Sequence, residues 1–233
     1  MYHSDLDKIP EKPLTNKCIV LDLDETLVHS CGESDIELLK QLQIYTDPSN
    51  YDLRERVYKI TMEDVIHKKG TGEKTEMWGI ARPNVREFLI HCFTYFKIVI
   101  IWSAGRKKYV HAIIDKIFQD LKRPHIIWTY DDLEKLPNNT LIKPLNKLID
   151  EISGLKKHMS LENTFIVDDR VSVFSEPNPY NGILIPAYKP TFNVKNLRDD
   201  DNTLEQLSKW FMKSEVINCK DIRKLSKVNI FNY

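Results

Sequence analysis

Nothing in this 233-residue sequence supplies a framework built on cysteine. Its four cysteines, Cys18, Cys31, Cys92 and Cys219, lie far apart and form no C-x-x-C pair, so they read as reduced thiols of an intracellular protein rather than disulfide or zinc partners. An excess of either charge is also lacking, since Lys plus Arg and Asp plus Glu each number 34. A balanced chain gives no electrostatic basis for sequence-independent nucleic-acid binding, and no direct nucleic-acid partner is expected. Long apolar runs are missing too. The longest, Ile98 to Trp102, falls far short of the roughly 20 residues that cross a bilayer. Met1 leads into a polar stretch rather than an apolar signal region. The expectation is a soluble, intracellular protein, nuclear or cytoplasmic, with no membrane partner. No internal repeat or low-complexity tract appears. What remains is 42% hydrophobic and 29% charged residues, which suits one domain of generous size or one domain carrying an insertion.

Short apolar runs mark the expected sheet. Cys18-Ile19-Val20-Leu21, Ile98 to Trp102, Asn163 to Val167 and Gly182 to Ile185 are continuous enough to be strands buried on both faces. Helical patterns run from Asn84 to Phe96, behind Pro83, and from Lys107 to Phe118, with another from Leu204 to Met212. Apolar strands alternating with helices predict an α/β fold with a doubly wound parallel sheet. Residues 31–81 break the rhythm. Asp35 to Tyr45 reads as helical, Val57 to Thr61 and Thr75 to Ile80 as strands, with a turn at Lys69-Gly70-Thr71-Gly72. This stretch is taken as a small inserted β-hairpin or sheet. Residues 1–16 read as an N-terminal arm and 17–233 as a single domain with the insert at about 31–81.

The chemistry lies at the carboxyl end of each apolar run. The first ends in Asp22-Leu23-Asp24-Glu25-Thr26, the second in Ser103-Ala104-Gly105, the third in Asp168-Asp169. Strand carboxyl ends form the ligand crevice of an open parallel sheet, so carboxylates and a hydroxyl converge on one edge. Lys143 follows a loop that reaches the same place. Clustered carboxylates repel unless a cation sits among them, and oxygen ligands with room for water suit Mg²⁺ better than zinc. Metal, lysine and serine hydroxyl together cradle a phosphoryl group. Asp22 is a candidate covalent nucleophile toward phosphorus, with Asp24 two residues on for proton transfer. A D-x-D-x-T match alone arises by chance in about one chain in twenty of this length; here it ends a buried strand, and the Ser, Lys and Asp-Asp follow in order.

These residues resemble the haloacid-dehalogenase (HAD) superfamily, and within it the FCP/SCP-type phosphatases that act on the C-terminal domain of RNA polymerase II. The resemblance rests on Cys18 to Ser30, on Ala81-Arg82-Pro83-Asn84-Val85-Arg86-Glu87-Phe88-Leu89, and on Trp102-Ser103-Ala104-Gly105 followed by Tyr109. It spans about residues 17–212. Ile142-Lys143-Pro144-Leu145 and Phe165 to Arg170 are similar to the branch that carries a ubiquitin-like domain. The resemblance implies a HAD-like, Rossmannoid fold and Mg²⁺. Asp22 would be the nucleophile and a metal ligand. Asp24 would act as general acid and then base, its backbone carbonyl also facing the metal. Ser103 and Lys143 would hold the phosphoryl group, Asp168 would orient Lys143, and Asp169 would be the third metal ligand. Thr26 would brace the first loop, and Tyr109 would contact substrate. Arg106, beside them, is a candidate for greeting an anion.

Two departures stand out. The small phosphatases carry an arginine in the loop after the second helix, where this chain has Ile127-Trp128-Thr129-Tyr130-Asp131-Asp132. Asp169 replaces the usual Asn and adds negative charge that favours metal over anion. His29 reads as a locally packed residue, Trp78 and Trp102 as core, and the charges from Lys195 to Asp201 as a solvated connection. The expected partner is a phosphorylated protein or peptide such as the polymerase tail, attacked at phosphoserine or phosphothreonine. Alternatives are a HAD phosphatase for small molecules or nucleic-acid ends, and a catalytically silent phosphoprotein-binding module. The intervals from Ser103 to Lys143 and from Lys143 to Asp168 are too short for a full cap domain, which argues against the small-molecule alternative.

Overall fold

The computed structural model describes residues 11–32, 36–63, 74–199 and 201–231. In chain order the elements are β1 (Cys18–Leu21), β2 (Val28–Cys31), α1 (Ile36–Gln41), β3 (Val57–Glu63), β4 (Lys74–Ala81), α2 (Val85–Tyr95), β5 (Ile98–Trp102) and α3 (Lys107–Phe118). There follow β6 (Ile126–Trp128), β7 (Glu134–Lys135), β8 (Leu141–Ile142), α4 (Leu145–Glu151), β9 (Thr164–Asp168), β10 (Gly182–Leu184), α5 (Val194–Asp199), α6 (Thr203–Phe211) and α7 (Ser214–Ile217).

Five strands form a sheet in the order β10-β9-β1-β5-β6, and every neighbouring pair is parallel. The doubly wound arrangement is visible in β1 itself. Ile19 and Leu21 pack with Phe88 and Leu89 of α2, Ile113 of α3 and Leu207 of α6. Cys18 and Val20 pack in a second cluster with Leu145, Leu148 and Ile149 of α4. Successive side chains leave opposite faces of a strand, so an unbroken apolar run means cover on both sides. All four residues of β1 have no solvent exposure, as the sequence led us to expect.

The insert is a three-stranded antiparallel sheet in the order β2-β4-β3. Its first strand, Val28–Cys31, begins three residues before the expected start at 31 and was missed because it follows the D-x-D-x-T loop almost at once. The helix expected over 35–45 is shorter, and the turn at 69–72 lies outside the described residues. The edge strand β6 and the β7–β8 hairpin, absent from the sequence reading, are too short for periodicity to detect. Part of the expected N-terminal arm is docked: the Leu14 and Thr15 amides donate to the Thr94 and Tyr95 carbonyls at the end of α2. Near the other end, Ile222 is fully buried in the main core. Among the described residues no helix is long and apolar enough to cross a membrane.

Candidate active site

Parallel register brings the acids together. Leu21 pairs with Val167 on one side and Ile101 on the other, so the next residues along, Asp22, Asp168 and Trp102, end their strands level, with Ser103 one step beyond. Asp22 and Asp168 are buried, at 7% and 1% exposure. Lys143 enters between them, itself 1% exposed, donating to Asp22 Oδ1 at 2.7 Å and Asp168 Oδ2 at 2.6 Å. The other Asp168 oxygen accepts the Arg170 amide at 2.9 Å. Asp168, expected to orient Lys143, is thus in direct contact with it.

Lys143 stands just after β8, held by a clamp that sequence reasoning missed. Its amide donates to the Val173 carbonyl at 2.8 Å. The buried Asn178 side chain donates to the Lys143 carbonyl at 2.7 Å and accepts the Leu145 amide at 2.9 Å. An Asn between Pro177 and Pro179 reads only as a turn residue, so nothing flagged it.

A cavity of about 130 Å³ opens above this group, lined among others by Asp22, Asp24, Glu25, Lys143, Asp168 and Asp169. The electrostatics inside it are strained. Burial pushes the Asp22 carboxyl up to about 8; the Lys143 ammonium opposes this, while Asp168 and Asp24 add to it. Asp24 and Asp169 are also raised, each chiefly by burial. For Lys143, burial acts to lower the pKa, but the two carboxylates together outweigh it and the net direction is up. Carboxylates crowded beyond what one lysine neutralises are the setting in which a bound cation is stabilising.

The donor set fits a hard divalent ion. One oxygen each from Asp22, Asp168 and Asp169 lies within 4.8 Å of the others, and an all-oxygen set suits Mg²⁺. The expected ligands were Asp22, Asp24 and Asp169. The part expected of Asp24 in that set is its backbone carbonyl; its carboxylate Oδ1 accepts from the Tyr109 hydroxyl, and the side-chain cluster holds Asp168 beside Asp22 and Asp169.

Other expected residues stand further back. Ser103 is fully buried, its Oγ accepting the Gly105 amide at 3.0 Å, and the neighbouring Ala104 lines the cavity instead. Thr26, grouped with substrate-facing residues, has no exposure and is not among the residues that line this cavity; its carbonyl accepts from Arg82 at 3.1 Å, which braces the loop. Arg106 is exposed and not among the residues that line the cavity; it lies 4.1 Å above the Tyr130 ring and 3.2 Å from Asp131. That pairing, with Asp132 capping the Thr129 amide at 2.7 Å, occupies the two acids of the loop in which the resemblance leads one to expect an arginine. Tyr109 is half-buried, its hydroxyl in contact with Asp24 and Ser30.

The loop carrying Asp24 is fixed from behind. Glu25 adopts a left-handed backbone, φ 60°, uncommon outside glycine and sustained only where the surroundings demand it. Its carbonyl accepts the Tyr188 amide at 2.7 Å and its carboxylate meets His29 at 2.8 Å, so His29 is a local partner as expected. Arg82, fully buried, donates to Thr26, to the Pro186 carbonyl and to both oxygens of Asp201. Asp201 therefore does more than the solvated connection expected of its charge run. Trp78 and Trp102 are core, with no exposure, and no disulfide joins the four cysteines.

Comparison with known proteins gives the chain a family and a fold. A family model described as NLI interacting factor-like phosphatase matches residues 17–223. A Schizosaccharomyces pombe protein described only as uncharacterised is 25% identical over 213 residues, which is 91% of this chain and 54% of that protein. Among solved structures, Fcp1, an essential RNA polymerase II CTD phosphatase, has a TM-score of 0.58 at 18% identity, covering 89% of this chain and 68% of that one. A variant of the fission yeast RNA polymerase II CTD phosphatase Fcp1 bound to beryllium fluoride has a TM-score of 0.55 at 19% identity, covering 83% and 49%. The fold is HAD-like, and this chain spans about half the length of the yeast relative and of the beryllium-fluoride structure.

Proposed function

The chain belongs to the NLI interacting factor-like phosphatase family, and on that premise we propose that it is a Mg²⁺-dependent phosphatase acting through an aspartyl-phosphate on Asp22, with phosphoserine or phosphothreonine in a protein as substrate. The observation that carries the proposal is the buried Asp22–Lys143–Asp168 group, with Asp169 beside it, at the carboxyl edge of the parallel sheet.

The chemistry can be written from the residues. An Asp22 oxygen forms the new bond to phosphorus as the bond from phosphorus to the substrate oxygen breaks. Asp24 gives that leaving oxygen a proton, and burial holds its carboxyl above the ordinary range, which favours the acid form at the start. Lys143 presents positive charge to the transferring group from a fixed position. Ser103 is assigned to a phosphoryl oxygen by the family resemblance; it is buried beside Ala104 of the cavity wall, and accepting the Gly105 amide leaves its hydroxyl hydrogen to donate. Asp24, now a base, deprotonates the water that releases phosphate and restores Asp22. A bound Mg²⁺, held by Asp22 and Asp169, would supply charge neutralisation for the phosphoryl oxygens.

A protein substrate is supported by what surrounds the cavity. Among the described residues the chain between Ser103 and Asp168 contains only α3, β6, the β7–β8 hairpin, α4, two short 3-10 turns and the strand β9 itself, none a capping domain. By analogy with the Fcp1 structures, the polymerase tail is a candidate substrate. The test is hydrolysis of 4-nitrophenyl phosphate and a phosphoserine peptide, with Mg²⁺ or with EDTA, by wild type and Asp22→Asn. Turnover that requires both Mg²⁺ and Asp22 and favours the peptide is expected. Turnover that survives EDTA or Asp22→Asn rejects the mechanism, preference for sugar phosphates or 3′-phosphorylated DNA rejects the substrate class, and none at all from folded protein favours a silent phosphoprotein-binding module.

A further inference from the structure

Three hydroxyls in series join the inserted sheet to Asp24. Tyr109 Oη donates to Asp24 Oδ1, Ser30 Oγ lies 2.5 Å from Tyr109 Oη, and Tyr58 Oη lies 2.8 Å from Ser30 Oγ. Counting hydrogens sets the direction. Asp24 Oδ1 only accepts, whether the carboxyl is ionised or carries its proton on Oδ2, so Tyr109 commits its one hydrogen to Asp24. Ser30 must then donate to Tyr109, and Tyr58 to Ser30. Burial, with the Asp24 charge nearby, pushes both phenols above their ordinary value, which keeps both hydroxyls protonated.

A glycine opens the path. Ser30 on β2 and Tyr58 on β3 are both register partners of Gly79 on the middle strand, β4. Strands two apart in a sheet are separated by roughly 10 Å, too far for ordinary side chains to meet. A Cβ on residue 79 would stand 2.3 Å from Tyr58 Oη and 2.5 Å from the His29 carbonyl oxygen. Tyr58 thus lies across β4 in space that only glycine leaves, and its hydroxyl reaches the far strand.

We infer that Ser30 and Tyr58 are positioning residues for the general acid: they fix Tyr109 against Asp24 Oδ1 and so leave Oδ2 as the oxygen that delivers the proton. The inference rests on the proposed role of Asp24 and makes the insert part of the acid's support. A misplaced acid harms departure of a basic leaving group and spares one that needs no proton.

The test compares kcat/KM, which reports phosphoryl transfer to Asp22, on phenyl phosphate and on 2,4-dinitrophenyl phosphate. These substrates differ chiefly in leaving-group basicity. Tyr58→Phe and Ser30→Ala should lose about tenfold on phenyl phosphate, the scale of one lost hydrogen bond to a charged group, and less than about threefold on the dinitrophenyl ester. Ser30→Thr, which keeps a hydroxyl, should retain most of the phenyl phosphate rate. Equal losses on both substrates, or none, overturn the inference. Urea unfolding of Tyr58→Phe, Tyr109→Phe and the double variant reads the chain without activity: a connected chain gives non-additive losses, and additive losses overturn it. If Asp24→Asn itself leaves the phenyl phosphate rate unchanged, the reading of Asp24 fails, and the unfolding cycle still decides whether the hydroxyls act together.

Discussion

Replacing Lys143 with methionine tests what holds the site together. The ammonium is 1% exposed and lies 2.7 Å from Asp22 and 2.6 Å from Asp168. Methionine occupies similar space without charge or donors, so the variant isolates the electrostatic contribution. Removing one partner of a buried pair costs about 3–5 kcal/mol, because the carboxylates left behind keep their desolvation penalty. Protonation limits that loss, since a neutral carboxyl needs no cation. Asp22 stands at about 8 even beside Lys143, and without the ammonium it moves higher. Its folded value exceeds its unfolded one, so the folded protein holds the extra proton between those values and stability falls as pH rises through that window. In the wild type this fall ends near pH 8, where Asp22 ionises. In Lys143→Met it continues beyond, at about 1.4 kcal/mol per pH unit. Urea unfolding at about pH 7 and pH 9 without divalent metal measures both. The variant should be less stable by about 3 kcal/mol at the lower pH, with the gap about 1.4 kcal/mol wider at the higher. A loss under about 1 kcal/mol at both, or a gap that narrows with pH, refutes the reasoning.

Further outcomes are set by the same geometry. Asp24→Asn should lower kcat/KM on phenyl phosphate at least about a hundredfold, the usual scale for a general acid, while circular dichroism shows the fold unchanged. Asp169→Asn removes a carboxylate that burial and Asp168 hold above its ordinary range; the Mg²⁺ concentration for half-maximal activity should rise about five- to tenfold, and an unchanged value would remove Asp169 from the metal set. Asn178→Ala breaks two buried hydrogen bonds that hold the Lys143–Leu145 turn. It should cost about 2–4 kcal/mol in urea unfolding and lower kcat more than it changes KM.

Much of the fold could be read because its central strands are covered on both faces. Cys18 to Leu21, Ile98 to Trp102 and Thr164 to Val167 bury every residue, and burial on two sides leaves an unbroken apolar run. The insert was less readable for the opposite reason. β2 buries only its two end residues, with half-buried His29 and Ser30 between them, so it shows neither an apolar run nor an alternation, and β6 to β8 span two or three residues each, shorter than any period.

The site divides along a different line. Residues that present chemistry to the cavity follow strand ends, and strand ends are where sequence points; Asp22, Asp24, Asp168 and Asp169 were all named from that rule. The residues that aim them were named poorly or not at all, because their partners are distant in the chain and chosen by tertiary packing. Arg82 lay inside a quoted motif, yet its guanidinium bonds to Thr26, Pro186 and Asp201 could not be deduced from spacing. Asp201 sat in a charge run that reads as solvated. Tyr58 gave only a strand signal, and its reach to Ser30 depends on Gly79, whose role exists only once β2, β3 and β4 are in register. A nucleophile can be recognised by its type and its place at the end of a strand. Its supporting residues have no fixed type, since any donor of the right length serves, and so they become legible only when the fold has brought them together.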